Sequence, residues 1–137
     1  MYPDPISSKD LDTAARTIWG EGRGEPESGR IAIAHVIVNR AAKGGWWGDT
    51  ISKVCRKKWQ FSAWNKGDPN REKMLSLKKS SEGYQQGLDA IVRAVISDDD
   101  PTQSATHYHT KAVTPHWVEG SKKVLTVGNH HFFSNVP

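Results

Sequence analysis

Apolar residues recur at helical spacing from the start of the chain. Leu11, Ala14, Ala15 and Ile18 share one stripe. Ser7, with Asp10 three residues later, has the spacing of a capping box. Together they predict a helix that begins near Ser7 or Ser8 and runs to Glu21. Gly22 and Gly24 mark a sharp exit, and Pro26 suits the first turn of a second helix reaching about Lys43. Residues 31–39, IAIAHVIVN, are β-branched enough to suit a buried strand. The length of the 26–43 element and its flanking start signals select a helix instead. A Gly/Trp-rich loop follows at 44–48, and Thr50 can cap a short helix over 50–58. A polar stretch at 65–70 precedes a longer helix from about Ser81 to Ile96, with Leu88, Ile91, Val92 and Val95 inward. Asp98, Asp99, Asp100 and Pro101 close the helical part. Beyond them come short extended pieces at 105–110, 124–127 and 130–133. Gly128-Asn129 makes a hairpin of the last two. The expected fold is α+β: one mostly helical domain over 1–137, with a small C-terminal β-hairpin region.

Composition narrows the class. A chain of 137 residues fits a single domain. Its mean hydropathy of −0.66 excludes a membrane-resident protein, and no run approaches the ~20 apolar residues of a membrane-spanning helix. Residues 1–12 have neither a basic nor an apolar signal region, so no secretory signal is expected. The one cysteine, Cys55, excludes an internal disulfide and a cysteine-based zinc site, and reads as a small buried apolar residue. The net charge of +4 predicts affinity for a polyanion: nucleic acid, anionic membrane or acidic wall polymer. Six tryptophans offer flat faces suited to sugar rings or nucleobases. Trp46 and Trp47 are either an exposed sugar platform or partly buried packing.

Candidate chemistry concentrates at Glu21, in the run Trp19-Gly-Glu-Gly-Arg-Gly-Glu25. The negative end of the helix dipole disfavours its carboxylate, and an apolar wall such as Trp19 would disfavour it further. Both raise the pKa toward what a general acid near neutral pH requires. Candidates for a second carboxylate are Glu25, Asp49 and Asp68. Arg23 is read either as a contact to a substrate carboxylate or acetamido carbonyl, or as half of a structural ion pair. Glu25 is read as substrate-binding or as closing its own loop. His107 and His109 share one face of a strand, with Tyr108 opposite. A histidine metal site with His116 is the weaker reading, since no carboxylate follows at ligand spacing. His35, Asn39, Arg40 and His130 are read as scaffold.

The run WGEGRGEPESGRIAIAHVIVNRA, then Gln60-Phe61-Ser62-Ala63, Ala105-Thr106-His107-Tyr108-His109, Pro115-His116-Trp117 and Gly128-Asn129-His130-His131-Phe132-Phe133, resembles the SleB/CwlJ family of cell-wall hydrolases. These matches fall in order over roughly residues 11 to 133. Gly22, where alanine is commoner, and the Gly/Trp-rich loop before Asp49 depart from the family pattern. The resemblance implies a lysozyme-like fold that cleaves peptidoglycan glycan strands between N-acetylmuramic acid and N-acetylglucosamine. It implies Glu21 as the catalytic glutamate of a lytic transglycosylase, and no metal or other cofactor. Gln60, Ser62, Thr106, Tyr108 and His109 are the expected sugar-contacting groups beside Arg23 and Glu25, with Phe61 in the core. Tyr108 is expected to hold either the sugar or Glu21. The alternatives are a hydrolytic muramidase or glucosaminidase with a second carboxylate, or a non-catalytic glycan- or nucleic-acid-binding module. Expected partners are peptidoglycan strands, without specific nucleic acid or integral membrane association, for a monomer. The expected biology is that of a phage endolysin made in the bacterial cytoplasm and acting on the wall after release.

Overall fold

The computed structural model describes residues 2–58 and 60–137. Its α-helices are α1 (Ser8–Glu21), α2 (Glu27–Lys43), α3 (Ile51–Arg56), α4 (Pro69–Leu75) and α5 (Glu82–Ile96). Strands β1 (His107–Thr110), β2 (Lys122–Val127) and β3 (His130–Ser134) form one antiparallel sheet in the order β1-β3-β2. The fold is α+β and mostly helical, as expected.

Helix α1 begins as its sequence dictates. Ser7 Oγ accepts the Asp10 N–H at 3.0 Å, and Asp10 Oδ2 accepts the Ser7 N–H at 3.0 Å. Residues 31–39 are helical, with Ile33, Val36 and Ile37 fully buried. The β-branched run is thus the central wall of the core, which also holds Ile18, Phe61, Ile91 and Phe132.

Helix α5 meets α1 along small residues. A Cβ built on Gly87 would come within 2.3 Å of the Ala15 carbonyl oxygen, so only glycine permits this backbone approach. Tyr84, Ala90, Ile91, Ala94 and Val95 complete the buried stripe of α5. Val92, expected inward, is 38% exposed. The stripe is turned by the Gly87 contact, which leaves Val92 on the solvent side. Helix α4 was not expected: its sequence, PNREKML, carries a single buried residue, Met74, and no periodic stripe. What starts it is Asp68, whose Oδ1 accepts the Asn70 N–H at 2.8 Å ahead of Pro69 in the first turn.

The sheet is tied to α2 by two adjacent side chains. Asn39 Nδ2 donates to Asp100 Oδ2 (2.9 Å) and to the Ala105 carbonyl (2.9 Å). Arg40 Nε donates to the Thr106 carbonyl at 2.8 Å. His35 Nδ1 lies 3.4 Å from Asp100 Oδ1. These bonds set the height at which β1 leaves the helical layer, and so the position of Tyr108. The β2–β3 hairpin turns at Gly128 (φ 57°) as expected, while a bulge between Lys123 and Leu125 skews its far end.

Candidate active site

Glu21 is the last residue of α1, where the helix gives way to Gly22. The following loop turns at Gly24 (φ 77°), a left-handed residue that a side chain would strain. Two segments close over the carboxyl. From one side the 60–64 loop presses on α1: a Cβ on Gly20 would stand 2.9 Å from Ala63 Cβ. That loop is pinned by Trp64 Nε1, which donates to Thr17 Oγ1 at 2.8 Å. From the other side comes β1, whose Tyr108 hydroxyl donates to Glu21 Oε1 at 2.9 Å.

Burial pushes the Glu21 pKa above the ordinary carboxylate range. The Tyr108 hydroxyl, the Arg40 charge and the Ala63 amide favour the ionised form, and the Asp68 charge opposes it. Burial outweighs the stabilising contacts. The result is an acid that holds its proton above its usual pH yet has partners ready for its anion, as a group that first gives and then takes a proton requires. Tyr108 is itself partly buried beside Glu21, and desolvation and the neighbouring carboxyl raise its phenol well above its usual value and keep it a donor.

Arg40 was expected to be scaffold, and through Thr106 it is. It also belongs to the site. The guanidinium is buried, 4.2 Å from the Trp47 ring centroid and 5.2 Å from that of Phe61, and its Nη1 has no hydrogen-bond partner among the described residues. Burial depresses its pKa to about 10, against the pull of the neighbouring Tyr108 and Glu21. It remains a cation at neutral pH.

Beside this centre lies a cleft of about 540 Å³ whose wall includes Trp46, Trp47, Gln60, Thr106, His107 and Trp117. Gln60 and Thr106, two of the expected sugar-contacting residues, both line this cleft. Trp46 is 61% exposed and Trp47 half-buried, so partial burial describes Trp47 and not Trp46. Ser62 is exposed and is not part of this wall. His107 is held to a pKa of about 4 by burial and by the Arg40 and Lys43 charges.

Besides Ser62, three expected site residues lie outside this cleft wall. Glu25 is buried beneath the hairpin turn, where both carboxylate oxygens accept the Asn129 N–H (3.1 and 3.2 Å). His130 Nδ1 touches Oε1 at 2.5 Å, off the line of a hydrogen bond. A Cβ on Gly128 would collide with this carboxylate. Glu25 thus fastens the hairpin to the start of α2 and has no free edge for a sugar. His109 points to the sheet face opposite Tyr108, stacked 5.1 Å from Phe133 and edge-on to Trp117 at 5.7 Å. Strand alternation puts it there. Arg23 is exposed, bonded through Nη1 to Asn70 Oδ1 (3.1 Å) and lying 4.7 Å over the Trp19 ring.

Trp19 is not the apolar wall of Glu21. Two residues apart on a helix, the side chains diverge, and Trp19 packs against Gly83 of α5. Asp49 is exposed and paired with Lys53 at 3.1 Å. Cys55 is fully buried, its thiol pushed up to about 12 by burial, so it is the inert packing residue expected. His116 is exposed and His130 is buried at the turn. The added proximity of Arg40 to Glu21 had a readable signal: an arginine in the apolar face of a helix needs a partner.

The profile of the cell wall hydrolase family matches residues 24–133, beginning three residues after Glu21. The spore cortex-lytic enzyme of Oceanobacillus iheyensis is 29% identical over 131 residues, which are 95% of this chain and 43% of that protein. That of Bacillus subtilis is 28% identical over 95% of this chain and 39% of its own length. The chain thus spans less than half the length of these relatives. Among solved structures, the catalytic domain of Bacillus cereus SleB superposes with a TM-score of 0.77 at 27% identity, covering 96% of this chain and 94% of that one. The catalytic domain of the germination-specific lytic transglycosylase SleB from Bacillus anthracis gives 0.75 at 27% identity, covering 96% and 99%. The ordered motifs, the fold and the profile agree: this chain belongs to the cell wall hydrolase family of enzymes.

Proposed function

We propose that this chain cleaves the glycan strands of peptidoglycan between N-acetylmuramic acid and N-acetylglucosamine, as a lytic transglycosylase with Glu21 as its one catalytic carboxyl group. The observation that carries the reading is the half-buried Glu21 carboxyl, held by Tyr108 and raised in pKa by desolvation. In the first step Glu21 gives its proton to the glycosidic oxygen, and the bond from that oxygen to muramic C1 breaks with oxocarbenium character. The Glu21 carboxylate then takes the proton of the muramic C6 hydroxyl as that oxygen bonds to C1. A 1,6-anhydro ring closes, Glu21 regains its proton, and no water is consumed. Tyr108, Arg40 and the Ala63 amide stabilise the carboxylate that exists between the two steps. Gln60 and Thr106 contact the sugars from the aromatic cleft, where Trp46 and Trp117 offer stacking faces.

Supporting this route over hydrolysis, two of the three candidate second carboxylates are engaged elsewhere: Glu25 under the hairpin and Asp49 with Lys53. Asp68 is the specific observation in favour of hydrolysis, because its charge is felt at Glu21. Its Oδ1 already caps α4. The test is release of soluble fragments from purified peptidoglycan by this chain and by Glu21→Gln. The reading requires release by the first and its loss in the second, with the variant still folded. The endolysin role expected from the sequence belongs to the same proposal, and lysis of permeabilised Gram-negative cells tests it.

A further inference from the structure

A second cleft, of about 590 Å³, adjoins the aromatic one and shares Lys43, Thr106 and Val136 with it. Its wall adds Lys122, Gln103, Ser104 and Asn135, and contains no acidic residue. Lys43 and Lys122 are exposed, and neither is paired with a carboxylate among the described residues. The cleft is therefore a pocket of positive charge and amide and hydroxyl groups.

Its backbone is unusual. Gln103 (φ 50°), Ser104 (φ 68°) and Asn135 (φ 52°) are the non-glycine residues with left-handed backbone among those described, and all three line this one cleft. Such a backbone is strained and persists only where its surroundings enforce it. For the 103–104 turn the enforcing group is Asp100. It accepts the Thr102 N–H (2.8 Å), the Thr102 hydroxyl (2.6 Å) and the Ser104 N–H (2.9 Å), and is itself held by Asn39. The turn is thus a rigid piece of wall facing two unpaired lysines.

We propose that this cleft holds the anionic peptide branch of a peptidoglycan strand, its carboxylates beside Lys43 and Lys122 and its amides against Gln103, Ser104 and Asn135. The proposal rests on the glycan-cleaving reading above and deepens it: the enzyme selects strands that still carry peptide. The geometry supports this, since a strand whose sugars occupy the aromatic cleft would present its substituents to the neighbouring basic one, across the shared Lys43–Thr106 wall. The positive potential there is already felt by His107, which Lys43 helps to keep neutral.

The test compares intact peptidoglycan with the same glycan strands stripped of peptide by an amidase, using wild type, Lys122→Arg and Lys122→Glu. Lys122 is exposed at the first position of β2, so its replacement leaves the fold intact. The expected result is a kcat/KM about fivefold lower on stripped strands for wild type, a size set by exposed charge pairs. Lys122→Glu should lose a similar factor on peptide-bearing strands alone, with Lys122→Arg close to wild type. Equal rates on both substrates for wild type, or an equal loss on both for Lys122→Glu, would overturn the proposal. Absence of cleavage of either substrate by wild type would instead defeat the glycan-cleaving reading itself.

Discussion

Tyr108 and Glu21 are joined by a 2.9 Å hydrogen bond across 87 positions of sequence, from the middle of β1 to the last residue of α1. The bond makes the acid dependent on the sheet. Everything that sets the height of β1, including Asn39 on the Ala105 carbonyl and Arg40 on the Thr106 carbonyl, also sets the carboxyl.

Tyr108→Phe removes a donor that favours the ionised form of Glu21. The Glu21 pKa should then rise further, moving the limb of the activity–pH profile that reports Glu21 to higher pH. Losing this one hydrogen bond to a charged group should cost about 1.5–3 kcal/mol of transition-state stabilisation, roughly ten- to a hundredfold in kcat/KM. A pH–rate series on purified peptidoglycan measures both.

Glu21→Gln should lower turnover by at least ~10²-fold, the low end of general acid–base catalysis. It should also stabilise the protein. The folded-state pKa of Glu21 is raised above the unfolded value, so its contribution is fully present at low pH and is lost as pH rises through the folded pKa. The variant stays neutral and escapes that loss. Thermal melts should therefore show a higher Tm than wild type at pH 7 to 8, with the gap shrinking toward pH 4.

His107 acts in the opposite sense. Its folded pKa is depressed to about 4 from 6.5, so stability is present above 6.5 and is lost as pH falls toward 4. His107→Phe removes this dependence. Urea denaturation at pH 7 and at pH 4.5 should show a smaller stability difference in the variant than in wild type.

Glu25→Ala distinguishes a fastening role from a substrate contact. It leaves the Asn129 N–H without its acceptor and opens a space beneath Gly128. The variant should lose about 1–3 kcal/mol of stability, while kcat at a temperature where it is fully folded stays near wild type.

Most of the fold was legible because the helices other than α4 announce themselves locally: the Ser7–Asp10 box, the Thr50 and Ser81 caps, the glycines after Glu21. Helix α4 was not, since its start depends on Asp68 and its interior has no apolar period. Val92 was misjudged because the α1–α5 contact is set by backbone approach at Gly87, which side-chain hydrophobicity does not register. Within the site, the position of Glu21 at the end of a helix was readable from the glycines that follow it. The burial of Glu25 was not, because its partners, Asn129 and His130, come from the far end of the chain. Nor was the turn of Trp19 toward α5, which follows from tertiary packing against Gly83. Arg40 reached Glu21 only through folding, although its place in an otherwise apolar helix face marked it as needing a partner.

The central claim is that one carboxyl performs both proton transfers. It is tested most directly by mass spectrometry of the fragments released from purified peptidoglycan, before and after borohydride reduction. A single-carboxyl transglycosylase leaves 1,6-anhydro-muramic ends, one water lighter than the hydrolytic product and unchanged by borohydride. Muramic ends that borohydride reduces would contradict it: water would then be the nucleophile, and Asp68, whose charge already reaches Glu21, would be the carboxylate that activates it.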